Sequence, residues 1–302
     1  MTTPPNPASP SQFQRWMLAI RPRTLPAAMA PVFVGIAVAQ TIRTVDTFPA
    51  LVILGCAILL QILANLVNDV ADFQKGTDTT GRLGPVRVTQ SGLLTPRQVW
   101  TGAVITALLA AAGGVYLATL AGLPVILMGS AAILFAVFYT VGPFALEDHG
   151  LGDLFSLIFF GFVAVCGTTW ILAGVIPNLS WLGGLTIGCL ITAILVVNNV
   201  RDIESDLRAG RRNIPTRFGR RAGELEYGIM LVVPFLVLPI AWALGWINAW
   251  ILLPFLAIPR GFQLWRMMTT LPAGPGFNHL LALTAQFALI YAILYSAAVL
   301  LG

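Results

Sequence analysis

The chain predicts an all-α, polytopic membrane protein: a bundle of nine transmembrane helices with its N-terminus in the cytosol. Three observations carry this. First, 57% of its 302 residues are hydrophobic and only 10% are charged, against roughly 25% charged in a soluble domain. Second, apolar runs of about 17–25 residues recur along the chain, each long enough to cross ~30 Å of hydrocarbon. Third, the basic residues gather on alternate loops. In lipid only helices and closed barrels satisfy their own backbone groups, and the ~10-residue alternating segments of a barrel are absent.

Residues 1–14 (MTTPPNPASPSQFQ) are polar and proline-rich, without the basic and apolar regions of a signal peptide. They read as a disordered cytosolic tail, and 15–302 as a single transmembrane domain. The spans fall at 25–42, 50–70, 98–120, 123–141, 151–173, 181–200, 228–244, 247–265 and 279–300. The first contains Pro26 and Pro31 and the eighth Pro254 and Pro259, kinks that neighbouring helices can accommodate. With the N-terminus in the cytosol, every Lys and Arg except Arg43 lies on the cytosolic side. That is the positive-inside pattern of a cell membrane protein, and it places the C-terminus outside. The net charge of +5 then belongs to loops beside anionic lipid, not to a nucleic-acid surface. Cys56, Cys166 and Cys189 sit inside apolar runs without paired spacing and read as small buried hydrophobes.

Acidic residues are scarce: the chain has twelve Asp and Glu. Six of them (Asp69, Asp72, Asp78, Asp202, Glu204 and Asp206) lie at the ends of two apolar runs, after the second and sixth spans. Asn65, Asn68, Asp69 and Asp72 are spaced to share one face of a helix, with Asp78 beyond. Asn198, Asp202 and Asp206 are four residues apart and share another face, with Asn199 alongside. At a helix C-terminus the macrodipole disfavours carboxylates, and two of them ~6 Å apart repel by about 3 kcal/mol at an effective dielectric near 20. A positive partner is required. Lys75 follows the first cluster, and Arg201, Arg208, Arg211 and Arg212 surround the second. An ion-pair network alone would not need the interleaved asparagines. Carboxylate and amide oxygens, completed by phosphate oxygens, suit Mg²⁺, and the guanidinium fork matches phosphate. The pattern points to a Mg²⁺–diphosphate site at the cytosolic membrane face, with a lipid tail running into the bundle.

These motifs resemble those of the UbiA superfamily of intramembrane aromatic prenyltransferases. The first family signature is matched by Asn68-Asp69-Val70-Ala71-Asp72 followed by Asp78, and the second by Asp202-Ile203-Glu204-Ser205-Asp206 followed by Arg208, Arg211 and Arg212. Arg21-Pro22-Arg23-Thr24-Leu25-Pro26, Tyr139-Thr140-Val141-Gly142-Pro143 and Gly150-Leu151-Gly152-Asp153 extend the resemblance along most of the chain. Its spacing from Asp72 to Asp78 is similar to that of the branch whose acceptor is 1,4-dihydroxy-2-naphthoate, in menaquinone biosynthesis. Where many members place a lysine after the second motif, this chain has arginines. The resemblance implies a nine-helix fold, Mg²⁺ as cofactor, and a polyprenyl diphosphate and an aromatic acceptor as partners within a lipid bilayer. It implies Asn65, Asn68, Asp69, Asp72, Asp78, Asp202 and Asp206 as metal ligands. Lys75, Arg208, Arg211, Arg212, Arg21 and Arg23 would meet the diphosphate or the acceptor. Tyr139 and Asp153 would join Asp72, Asp202 and Asp206 in catalysis, although Asp153 could equally cap its helix and Arg21 and Arg23 could anchor at the interface.

Two other readings compete. The same fold could prenylate hydroxybenzoate, homogentisate or a porphyrin. A cation-coupled transporter would instead need carboxylates or broken helices near the bilayer midplane, whereas here they sit at span ends.

Overall fold

The computed structural model describes residues 10–76, 83–142, 145–272 and 274–302, and every regular element among them is helical. Helix α1 (Gln12–Ile20) is amphipathic. It starts where the Ser11 hydroxyl accepts the Gln14 N–H while the Gln14 side chain accepts the Ser11 N–H, a reciprocal capping box. The expected tail over residues 1–14 is therefore corrected at its end. Residues 12–14 are helical, because Ser11 and Gln14 carry a start signal that composition alone hides.

A 3₁₀ turn, Pro22–Thr24, leads into α2 (Leu25–Gln40) and then α3 (Thr47–Lys75). Gly76 ends α3 in the left-handed conformation, at φ 71°, where glycine carries no Cβ penalty. Next come α4 (Pro96–Ala121) and α5 (Leu123–Phe138), then a 3₁₀ turn, Leu146–His149. Helix α6 (Gly152–Ser156), a π-helical stretch Leu157–Val163 and α7 (Ala164–Ala173) run on as one rod. Helix α8 (Asn178–Arg201) is followed by short α9 (Ile203–Arg208) and α10 (Ile214–Phe218), then α11 (Arg220–Ala243). A 3₁₀ segment Ala249–Ala257, α12 (Ile258–Thr270) and α13 (Gly276–Leu301) complete the chain.

The protein is a multi-pass membrane protein. Among the described residues, seven helices are long and apolar enough to cross a membrane. Helix α5 is apolar but has 16 residues, and Pro254 and Pro259 divide the expected eighth span into the 3₁₀ segment and α12. Length and composition thus support seven crossings where the sequence pattern predicts nine. The outer faces agree with lipid as solvent. Leu225, Ile229, Val232, Leu236 and Ile240 form an exposed stripe along α11, a patch far too apolar for a water-facing surface.

Helix α8 is the opposite case. It is buried along most of its length, surrounded by α2, α11, α13 and the π-helical stretch. Small residues permit this crowding, as they do where membrane helices approach closely. A Cβ on Gly161 would lie 2.4 Å from the Gly184 carbonyl oxygen. The end of this central rod is where the second acidic cluster sits, so the cluster is held by the best-packed part of the bundle.

Candidate active site

Two carboxylate clusters far apart in the chain line one small polar cavity of about 140 Å³. From α3 come Asn68 and Asp72, one turn apart. Asp72 is buried and accepts from Arg87 Nη2 and Arg211 Nη2, each at 2.6 Å. Asn68 Oδ1 accepts from the Thr140 hydroxyl, which ties α3 to the end of α5.

From the other side come Asn198, Asn199, Asp202 and Asp206. The sequence pattern treats these as one helical face, but α8 stops at Asp202, whose φ is −99° and ψ 12°. The Asp206 N–H still donates to the Asp202 carbonyl at 2.8 Å, so the backbone turns on and both carboxylates stay on the cavity. Arg201 grips Asp202 with Nε at 2.8 Å and Nη2 at 2.6 Å. Asp206 accepts from Asn213 Nδ2 at 2.8 Å and Arg211 Nη1 at 3.4 Å.

Arg211 joins the two clusters through Asp72 and Asp206, and it also meets Glu147 Oε1 at 2.8 Å. The loop carrying Arg211 lies against Gly150, where φ is 75° and an added Cβ would fall 2.1 Å from the Arg212 carbonyl oxygen. Only glycine fits there. Burial pushes Asp206 up, to about 6, against the pull of Arg211. Burial likewise raises Glu147, to about 8, although Arg211 opposes it. Carboxylates buried in this way gain from cationic partners, and Arg21, Arg87, Arg201 and Arg211 line the same cavity.

Beside it lies a larger apolar chamber of about 480 Å³, walled by α2, α3, α4, α5, the π-helical stretch, α7 and α8. Arg21, Thr24, Asn68, Tyr139, Leu195 and Asn198 line both spaces and form their junction. Arg21 has φ 55°, a left-handed conformation costly for a residue with a Cβ, and this conformation starts the turn between α1 and α2. Phe135 and Phe159 stack at 4.4 Å between ring centroids inside the chamber, and Tyr139 meets Phe135 edge-on at 5.7 Å.

Not every residue expected at the site reaches it. Asp69 turns away from the cavity and accepts the Val88 and Thr89 backbone N–H groups at 3.0 and 2.9 Å. Asn65 donates to the Ile20 carbonyl at 2.8 Å and the Thr24 hydroxyl at 3.0 Å. Both fasten neighbouring segments to α3. Arg23, Arg208 and Arg212 are exposed; Arg208 Nε donates to the Glu204 carbonyl at 3.2 Å, within its own helix. Lys75 stands at the rim, 3.0 Å from Asp148 Oδ2. Asp153 lines the cavity and accepts from Asn199 Nδ2 at 3.3 Å. Asp78 lies outside the described residues. Missed as site residues are Arg87, Arg201 and Glu147. Arg87 follows Asp78 by nine residues in sequence, Arg201 precedes Asp202 directly, and Glu147 is one of only twelve acidic residues in the chain.

A cavity for an anionic head beside a chamber for an apolar tail is what an intramembrane enzyme acting on a lipid phosphate requires. The chain belongs to the UbiA prenyltransferase family, which it matches over residues 28–275. The 1,4-dihydroxy-2-naphthoate octaprenyltransferase of Escherichia coli (strain K12) is 37% identical over 215 residues, covering 69% of this chain and 70% of that protein. The protein of the same name from Mycobacterium leprae (strain TN) is 31% identical over 298 residues, covering 97% and 98%. In fold, the chain is similar to a UbiA homolog from Archaeoglobus fulgidus bound to DMAPP and Mg²⁺, with a TM-score of 0.62, 15% identity, and coverage of 95% of this chain and 99% of that one.

Proposed function

We propose that the protein transfers a polyprenyl group from a polyprenyl diphosphate to 1,4-dihydroxy-2-naphthoate, with Mg²⁺ as cofactor, in menaquinone biosynthesis. The C–O bond to the diphosphate breaks, and the ring carbon bearing the carboxylate takes the allylic group. CO₂ leaves, so the products are a demethylmenaquinol, CO₂ and diphosphate. The observation that carries this reading is the meeting of Asp72 and Asp206 across Arg211, in a cavity that shares Asn68 and Tyr139 with the apolar chamber.

The donor set suits Mg²⁺. Asn68, Asp72, Asn198, Asp202 and Asp206 offer hard oxygens around one space. Among the described residues, no three acidic, histidine or cysteine side chains converge as a ready-made cage. Mg²⁺ is commonly held by carboxylates together with substrate phosphates and waters, not by a dedicated all-protein cage. When bound, it supplies positive charge against the departing diphosphate. We assign Asn68, Asp72, Asp202 and Asp206 as its ligands, with Asp78 as a further candidate, and assign Asn65 and Asp69 to the scaffold.

Arg87, Arg201 and Arg211 would exchange hydrogen bonds from carboxylates to diphosphate oxygens, and their fixed charge stabilises the leaving group as it forms. Lys75 at the rim would draw the anionic head inward. Tyr139 and Asp153 stand beside the junction and would orient the acceptor's hydroxyl and carboxylate. The chamber would hold the prenyl tail and keep water from the allylic cation. We further propose nine crossings in the cell membrane, with the N-terminus in the cytosol and the cavity facing the cytoplasm.

The test is an assay of detergent-solubilised protein with 1,4-dihydroxy-2-naphthoate, a polyprenyl diphosphate and Mg²⁺, with and without EDTA, read by mass spectrometry. A prenylated product lacking the carboxylate, formed only with Mg²⁺, is the expected outcome. Turnover of hydroxybenzoate in its place would keep the two-cluster mechanism and remove the naphthoate assignment.

A further inference from the structure

Asn278, in the first turn of α13, lies between the two clusters without belonging to either motif. Its Oδ1 accepts from Arg201 Nη1 at 2.8 Å, and its Nδ2 donates to the Leu83 carbonyl at 2.8 Å. Arg201 also donates from Nε and Nη2 to Asp202. Leu83 opens the segment that supplies Pro85 and Arg87 to the cavity, and Arg87 holds Asp72. A continuous chain of contacts thus runs from Asp202 through Arg201, Asn278 and segment 83–87 to Asp72.

The chemistry selects asparagine. One end of its side chain must accept from a guanidinium and the other must donate to a carbonyl. Reversing the amide would oppose donor to donor and acceptor to acceptor. Aspartate would keep the contact with Arg201 but set a negative oxygen against the Leu83 carbonyl. Alanine removes both contacts.

We propose that Asn278 is a positioning residue for the reaction: it sets the spacing between the two diphosphate-binding clusters by tying Arg201 to the segment that carries Arg87. The inference rests on the reading of the site as a polyprenyl diphosphate site. It requires that Asn278 act on the diphosphate and not on the acceptor, because both of its partners lead to groups assigned to the diphosphate.

The experiment uses full-length Asn278→Ala and Asn278→Asp in detergent, assayed with geranyl diphosphate, Mg²⁺ and 1,4-dihydroxy-2-naphthoate. KM for geranyl diphosphate should rise about tenfold in Asn278→Ala, the scale of one lost charge-assisted hydrogen bond. KM for the naphthoate and the thermal midpoint should stay as in the wild type. Combining Asn278→Ala with Arg87→Lys should add little beyond the larger single effect, as expected of two residues on one path. Hydrogen exchange of segment 83–87 should quicken in both single variants, since each loses the donor to Leu83. A fall of kcat and of the thermal midpoint, together with a rise of both KM values, would reduce Asn278 to a packing role and overturn the proposal. So would unchanged KM values with unchanged exchange. If the wild type turns over no prenyl diphosphate at all, the reading of the site fails. Slower or unchanged exchange in the variants would then separately refute the tie to Leu83.

Discussion

Asp69 and Asp72 lie less than one turn apart on α3, and both are almost fully buried, at 1% and 2% exposed. They nevertheless belong to two different regions. Asp69 faces segment 83–95 and is bound by two backbone N–H groups, with Arg21 Nη2 at 3.9 Å. Asp72 faces the polar cavity and is bound by two guanidinium groups. Burial and charge do not separate a structural carboxylate from a functional one; the partners do. Backbone amides cannot leave without unfolding the loop they belong to. Arginine side chains can move to an incoming diphosphate while the backbone stays in place. The region around Asp69 is therefore built to stay fixed, and the region around Asp72 to exchange partners.

The largest effect should come from Asp72→Ala. Turnover of the folded protein should fall by at least about 100-fold, on the scale of removing one preorganised electrostatic group. Wild-type turnover in this variant would erase the distinction between the two regions. Arg211→Ala should follow, with a loss of about tenfold or more in kcat/KM for the prenyl diphosphate, since it bridges both clusters. A change confined to the acceptor would assign Arg211 elsewhere.

Asp69→Ala should act by the other route. Loss of two amide contacts to a buried carboxylate should cost about 3 kcal/mol, read as a lower thermal midpoint and lower yield of folded protein. The surviving protein should keep its Mg²⁺ half-saturation; a shift there would return Asp69 to the ligand set. Arg208→Ala should change turnover by less than about twofold, because exposed charges contribute little. Smallest of all, Ser11→Ala should destabilise α1 by about 1 kcal/mol through the lost cap and leave activity untouched.

The limits of reading the sequence show at the same residues. Around a helix, Asp69 and Asp72 are about 60° apart, so spacing groups them on one face. That face proves wide enough to be shared between two neighbours, and which neighbour each side chain meets depends on segment 83–95 and α9–α10, packed from elsewhere in the chain. The second cluster was legible as a spacing of four, but the break at Asp202 was not, because a single non-helical ψ leaves no compositional trace. Arg87 carries no mark in the sequence because arginines beside anionic lipid are common, nothing local separates Arg201 from the other arginines around the second cluster, and Glu147 stands in no motif. Asn278 carries no motif, and its role exists only through its two partners.

By itself the sequence determined the solvent, the helical class and the chemistry. Apolar run length, the scarcity and grouping of carboxylates and the sidedness of the arginines are local or additive properties, readable without a fold. Tertiary structure alone decided which oxygens share a cavity, which arginine spans the two clusters and how the polar cavity opens onto the apolar chamber. Those are contacts between segments more than a hundred residues apart, such as Asp72 with Arg211. They follow from how α3, α8 and the loops between them pack, which no window of sequence contains.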